Sequence, residues 1–195
     1  MIPTATLPTQ CAVALKEWAT VLESLAQGEQ FLLVRKGGLI EPGGGFEMRR
    51  EAFVFYPTFE HQAVQYLRPP YQRYFETALR QRAPEGHVRF DLAGQAVHVA
   101  TAGNPQLIGQ MKAAHIYNAT FATQRLKWQS DQPLTIVLVR VYQLASPVTV
   151  VADSKYAGCK SWVELEAPVS LAGAAPVLDD ATFQARIAPL VSLLG

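Results

Sequence analysis

"PLTIVLVRVYQL", residues Pro133 to Leu144, decides the fold. Its middle is β-branched almost throughout, the composition of a strand packed on a half-buried pleated surface. "PVTVV" continues the same sheet from Pro147. Two further apolar runs of strand length, "QFLLVRK" (30–36) and "EAFVFYPT" (51–58), flank a glycine-rich stretch and predict a hairpin. "HVRFDLAGQAVHVATAG" (87–103) alternates well enough to predict a second hairpin, with Ala93-Gly94 near its turn.

Helical patterns surround these strands. In "CAVALKEWATVLESLAQG" (11–28), Leu15, Trp18, Leu22 and Leu25 recur at helical spacing and Gly28 stands where a left-handed terminal residue is wanted. From Phe59 the pattern is helical, broken by Pro69 and Pro70, and it resumes through "YQRYFETALRQR" until Pro84 and Gly86 stop it. "QLIGQMKAAHIYNATFATQRLKW" (106–128) reads as one long helix carrying Leu107, Met111, His115 and Phe121. The tail "DDATFQARIAPLVSLL" opens on an N-cap acid and spaces Phe183, Ile187, Leu190 and Leu194 as a docking helix that Pro189 must kink or end. Helices and strands mix without a βαβ rhythm, so the expectation is an α+β single domain over residues 1–195, a largely antiparallel sheet flanked by helices.

The 195 residues, 49% of them hydrophobic, suffice to bury one real core, and a net charge of +1 excludes both a generic basic nucleic-acid coat and an acidic solvated chain. The charge is uneven. Arg68, Arg73, Arg80, Arg82 and Arg89 face only Glu76 and Glu85 within 68–89, whereas residues 161–195 hold Glu164, Glu166, Asp179 and Asp180 against Arg186. Cys11 and Cys159 are far apart and form no CxxC, so both are expected to be reduced. No leader pattern opens the chain and no apolar run is long enough for a bilayer, so a cytoplasmic protein without membrane contact is expected.

The segments "ALKEWA", "RKGGLIE", "YPTFEHQ", "RVYQL" and "GCKSWVEL" occur in this order between about Ala14 and Leu165, and together they resemble the bacterial domain of unknown function 1802 family. The resemblance implies a link to DNA, because some members share a polypeptide with a restriction-endonuclease-like domain. It marks Lys16, Glu17 and Trp18, then Arg35, Lys36, Gly37, Gly38 and Glu41, then Pro57, Glu60, His61 and Gln62, and last Lys160, Ser161, Trp162 and Glu164, without assigning roles. The order of a glycine-ended helix, a basic strand and a strong late strand is also similar to small barrels of the PUA or ASCH kind. That similarity implies a ligand cleft made by Trp18, Arg35, Lys36, His61 and Gln62 for nucleic acid or a modified base.

Chemistry offers roles for these positions. Arg35 and Lys36 are adjacent on a strand, so their side chains leave opposite faces. Gly37 and Gly38 expose backbone N–H groups that could hold an anion beside a cation, or simply make a turn. His61 stands between Glu60 and Gln62, either as acid, base or base-edge donor, or as part of a helix cap. Arg140 is an exposed strand charge or a guanidinium held by a carboxylate over a pocket. Trp162 beside Lys160 either stacks a base next to a phosphate or packs in the core. His98 and His115 are read as core-satisfied and His87 as a turn residue.

The leading expectation is a module that binds DNA, RNA or a nucleotide, with no cofactor. The rival is an enzyme in which Glu41, Glu60 and His61 do acid–base work on a phosphorylated substrate. A nuclease variant would use Asp153, Lys155 and Asp131 at a metal. A third reading is an accessory subunit whose polar cluster is a structural hydrogen-bond network.

Overall fold

The computed structural model describes residues 6–36, 46–128 and 132–195. The long run of β-branched residues forms a strand, β5 (Leu134–Val151), paired antiparallel with β4 (His87–Ala102) from Ala102 opposite Leu134 to His87 opposite Val151. β4 therefore does not turn at Ala93-Gly94 but runs straight through. A Cβ on Gly94 would lie 2.7–2.9 Å from the rings of Phe53 and Phe55, so this glycine permits close packing between strands rather than a reversal of the chain. Bulges between Phe90 and Leu92 and between Ala96 and His98 bend the long ribbon.

The remaining strands are β1 (Gln10–Trp18), β2 (Leu32–Arg35), β3 (Ala52–Thr58), β6 (Trp162–Ser170) and β7 (Ala175–Pro176), and the sheet order is β2-β5-β4-β3-β1-β6, with β7 also on β5. Only β1 with β3 is parallel among the described pairings. The expected α+β architecture with a largely antiparallel sheet is what the chain adopts. β2 and β3 are not a hairpin, since β2 pairs with β5 and β3 lies between β4 and β1; the glycine-rich residues 37–45 that link them lie outside the described residues.

The first amphipathic segment is divided. Residues 10–18 are extended and only Ala19–Ala26 coils, as α1. In β1 alternation prevails over the helical spacing: Leu15 enters the larger apolar cluster with Phe53, Phe55 and Trp162, whereas Ala14 joins Val54, Ala93 and Val163 on the opposite face. Gly28 takes φ 66° just past α1, as its position predicts, and a Cβ there would meet Leu178 at 2.6 Å.

The other helices are α2 (Arg73–Arg80), α3 (Pro105–Gln110), α4 (Ala119–Lys127) and α5 (Asp180–Leu194). The single helix expected over 106–128 is two, because Asn118 accepts from the Phe121 N–H and starts α4 afresh, while Leu67 bridges to Tyr117 in the gap. α5 begins where its N-cap Asp179 accepts from Thr182, and Pro189 lies within it.

The sheet ends meet through side chains. Arg35, at the close of β2, reaches Lys16 and Glu17 on β1 and Ser161 just before β6, although β2 and β6 are the two ends of the strand order. Phe46 stacks on Trp162, whose indole N–H donates to the Glu47 carbonyl, so the segment before β3 helps close this seam. The result is a curled sheet joined by side chains at its ends.

Candidate functional site

In β1, Lys16 and Glu17 leave opposite faces. Glu17 turns inward and receives Arg35 Nη1 at 2.9 Å and the Trp18 N–H at 2.8 Å. The same guanidinium donates to the Lys16 carbonyl at 2.9 Å and to Ser161 Oγ at 2.9 Å, and it lies over the Phe46 ring. Arg35 is thus a largely buried cross-tie whose Nη1 and Nη2 groups donate to the chain itself, a geometry that holds strands together.

Lys16 turns the other way, into a cleft of about 860 Å³ walled by α1, the end of α2, β3, the start of β4 and the turn after β5. Its register partner on β3 is Tyr56, and its ammonium lies 5.4 Å from that ring while donating to the Gly158 carbonyl at 3.0 Å. Burial, helped by the neighbouring Lys160, lowers the Lys16 pKa, while Glu60 opposes the shift. Burial raises that of the Tyr56 phenol, and Tyr156 and Glu60 add to it.

Across the cleft, α1 presents Ala19, Leu22, Glu23 and Ala26 on one face. Burial raises the Glu23 carboxyl, Asp91 adds to the rise and Arg89 opposes it. Arg89 and Asp91, two apart on β4, form a half-exposed ion pair at 2.7 Å. Arg82, beyond α2, stacks over Phe59 at 4.8 Å. Cations, aromatic faces and carboxylates converge here on one concavity, whose size suits a small-molecule ligand.

The family model for a domain of unknown function, DUF1802, matches residues 14–188. The chain belongs to the DUF1802 family. The match extends past Leu165, where the sequence motifs stop, through β6 into α5. No curated protein sequence matches the DUF1802 chain. Among solved structures it is similar to the crystal structure of a mutant ZmASCH protein from Zymomonas mobilis, at 11% identity and a TM-score of 0.44, over 97% of this chain and 100% of that one.

The residues that the sequence singled out in DUF1802 are dispersed. Arg35 is tied as described, and Lys36, on the opposite face, is buried with its ammonium on the Leu126 carbonyl at 2.9 Å. The shared hollow expected for these cations and His61 is therefore divided, because both cations point to acceptors within the fold. Trp18 packs among Tyr66, Tyr117 and Phe121. Gln62 accepts from the Thr20 N–H and hydroxyl at 3.2 and 3.0 Å, capping α1 from 42 residues away. His61 is exposed and adopts φ 61°, a strained conformation for a residue with a Cβ. Glu60 lines the cleft. Gly37, Gly38, Glu41 and Asp131 lie outside the described residues.

Arg140 takes the carboxylate alternative: it is buried, pairs with Asp180 at the start of α5 and lies over Phe183 at 4.9 Å. Trp162 is buried against Phe46 and Phe53, while Lys160 bonds the Lys155 carbonyl. Asp153 caps its own turn by accepting from the Lys155 N–H at 2.8 Å, and Lys155 pairs with Glu166. Among the described residues no three His, Cys, Asp or Glu side chains gather at metal-binding range. His115 is satisfied as expected, with Nε2 against the Ile108 carbonyl and Nδ1 accepting from the Tyr117 N–H, although it sits in the gap between helices; the half-buried His98 has no partner for Nε2 among the described residues.

Sequence reasoning named Lys16 and Glu60 but missed Tyr56, Glu23, Arg82, Arg89 and Asp91 as one site. The available signal was strand alternation in "ALKEW", which places Lys16 on the face opposite the buried Leu15 and Glu17.

Proposed function

We propose that this DUF1802 chain is a nucleic-acid-binding module that admits one nucleotide unit of a single strand to the cleft beside Lys16. The juxtaposition of the Lys16 ammonium and the Tyr56 ring in the cleft wall carries the reading: a cation next to an aromatic face is the pairing that engages a phosphate and a base together. Arg82 over Phe59 repeats the pairing farther along the same concavity. The volume, about 860 Å³, accommodates a nucleotide but not a duplex. The resemblance to a family with restriction-endonuclease-like neighbours makes DNA the polymer we assign, in a restriction or defence setting.

The test is a mobility-shift titration with single- and double-stranded DNA and RNA over a series of salt concentrations. Single-stranded DNA is expected to bind at low salt and to weaken as ionic strength rises, and Lys16→Ala is expected to reduce the logarithmic salt slope by about one. Absence of binding to every polymer at low salt overturns the proposal.

A further inference from the structure

The cleft has two chemically different ends. At one end Lys16 interacts with Lys160 and Glu60; at the other Glu23 interacts with Asp91 and Arg89. Glu23 differs from the buried carboxylate of Glu17. Glu17 accepts from a guanidinium and a backbone N–H, whereas the half-buried Glu23 has no hydrogen-bond or ion-pair partner among the described residues. Arg89, the nearby cation, is already committed to Asp91 by two hydrogen bonds, from Nε at 3.0 Å and Nη2 at 2.7 Å. Glu23 lines the cleft, so its unpartnered carboxylate is available to donors that a ligand brings.

The groups flanking Glu23 on its helix are apolar. Ala19 lies one turn before it and Ala26 nearly one turn after, and both line the same wall. Together with Leu22 they make the wall around the carboxylate apolar, a surface that a base can pack on.

Building on the nucleic-acid reading above, we infer that Glu23 reads the base admitted to the cleft and selects guanine. An ionised carboxylate is an acceptor only, with two oxygens side by side. Among the neutral nucleobases guanine presents two adjacent N–H donors, N1–H and the N2 amino group, along one edge. Adenine and cytosine place a ring acceptor beside their amino group, and the thymine N3–H lies between two carbonyls, so each sets an acceptor against one carboxylate oxygen. Guanine alone offers both oxygens a donor, while its phosphate lies toward the Lys16 end.

The experiment compares oligothymidylates carrying one central guanine, inosine or adenine, by fluorescence anisotropy at low salt. Inosine lacks the N2 amino group and so removes one of the two donors. The guanine strand is expected to bind about tenfold more tightly than the other two, the range of a bidentate base contact. Glu23→Gln and Glu23→Ala are expected to bring the three strands to equal affinity, with a far-ultraviolet circular dichroism spectrum matching the wild type showing that the fold is intact.

Equal affinity of the wild-type protein for all three strands overturns the guanine assignment and leaves the binding module standing. A guanine preference that persists in both Glu23 variants overturns the role of this residue. Failure of every strand to bind overturns the module and the base reading together.

Discussion

Arg35 and Glu17 hold each other at 2.9 Å, both nearly closed to solvent, although they stand near opposite ends of the strand order. The pair shows how a basic strand motif that looks like a ligand clamp can serve as a fastening instead. Glu17→Ala leaves an uncompensated guanidinium indoors and is expected to destabilise the protein by about 3–5 kcal/mol in urea unfolding. The double substitution Glu17→Leu with Arg35→Leu is expected to cost less than the two single changes summed, because neither charge is then stranded.

The α1 amino terminus depends on Gln62, which supplies the side-chain acceptor that Trp18 at the N-cap position does not. Gln62→Ala is expected to lower stability by about 1 kcal/mol, the worth of a lost helix cap, read as a fall in thermal midpoint. Gln62→Glu keeps an acceptor at that site and is expected to retain most of it.

Burial drives the His115 pKa down to about 4, against the ordinary 6.5, with the nearby Arg68 pushing the same way and the hydrogen bond to Ile108 opposing. The unfolded chain therefore binds a proton that the folded chain refuses between these two values. Stability from the neutral imidazole is fully present above pH 6.5 and is lost as pH falls toward 4, by up to about 3 kcal/mol. Chemical denaturation at pH 7 and at pH 4.5 measures the loss, and His115→Gln is expected to flatten that part of the profile.

Gly94 leaves no space for a side chain between Phe53 and Phe55. Gly94→Ala is expected to cost about 1–3 kcal/mol through overpacking, with a lower urea midpoint. The T-shaped contact of those two rings, now 5.2 Å between centroids, must shift to admit the methyl group.

How much of this was legible depended on whether the deciding interaction was local. β5 and α5 were readable because a β-branched run and an N-cap aspartate carry their signals within a few residues. β1 was not: Leu15, Trp18 and the following Leu22 of α1 happen to fall at helical spacing, and only the partners supplied by β3 and β6 make residues 10–18 extended. Gly94 carried an ambiguous signal, since the same residue serves a turn or a close approach. The motif positions Lys16 and Glu60 do line the cleft, whereas Glu23, Tyr56, Arg89 and Asp91 are joined there by the meeting of α1, β3 and β4, which no local pattern announces.

The place of β1 between β3 and β6 has a consequence for biosynthesis. β1 acquires its second neighbour only when residues 162–170 have followed it from the ribosome, so one of its edges waits while the intervening strands are made. Pairings this distant along the chain slow folding. Chaperone engagement of the nascent polypeptide should accordingly persist until that late segment emerges, and then end abruptly.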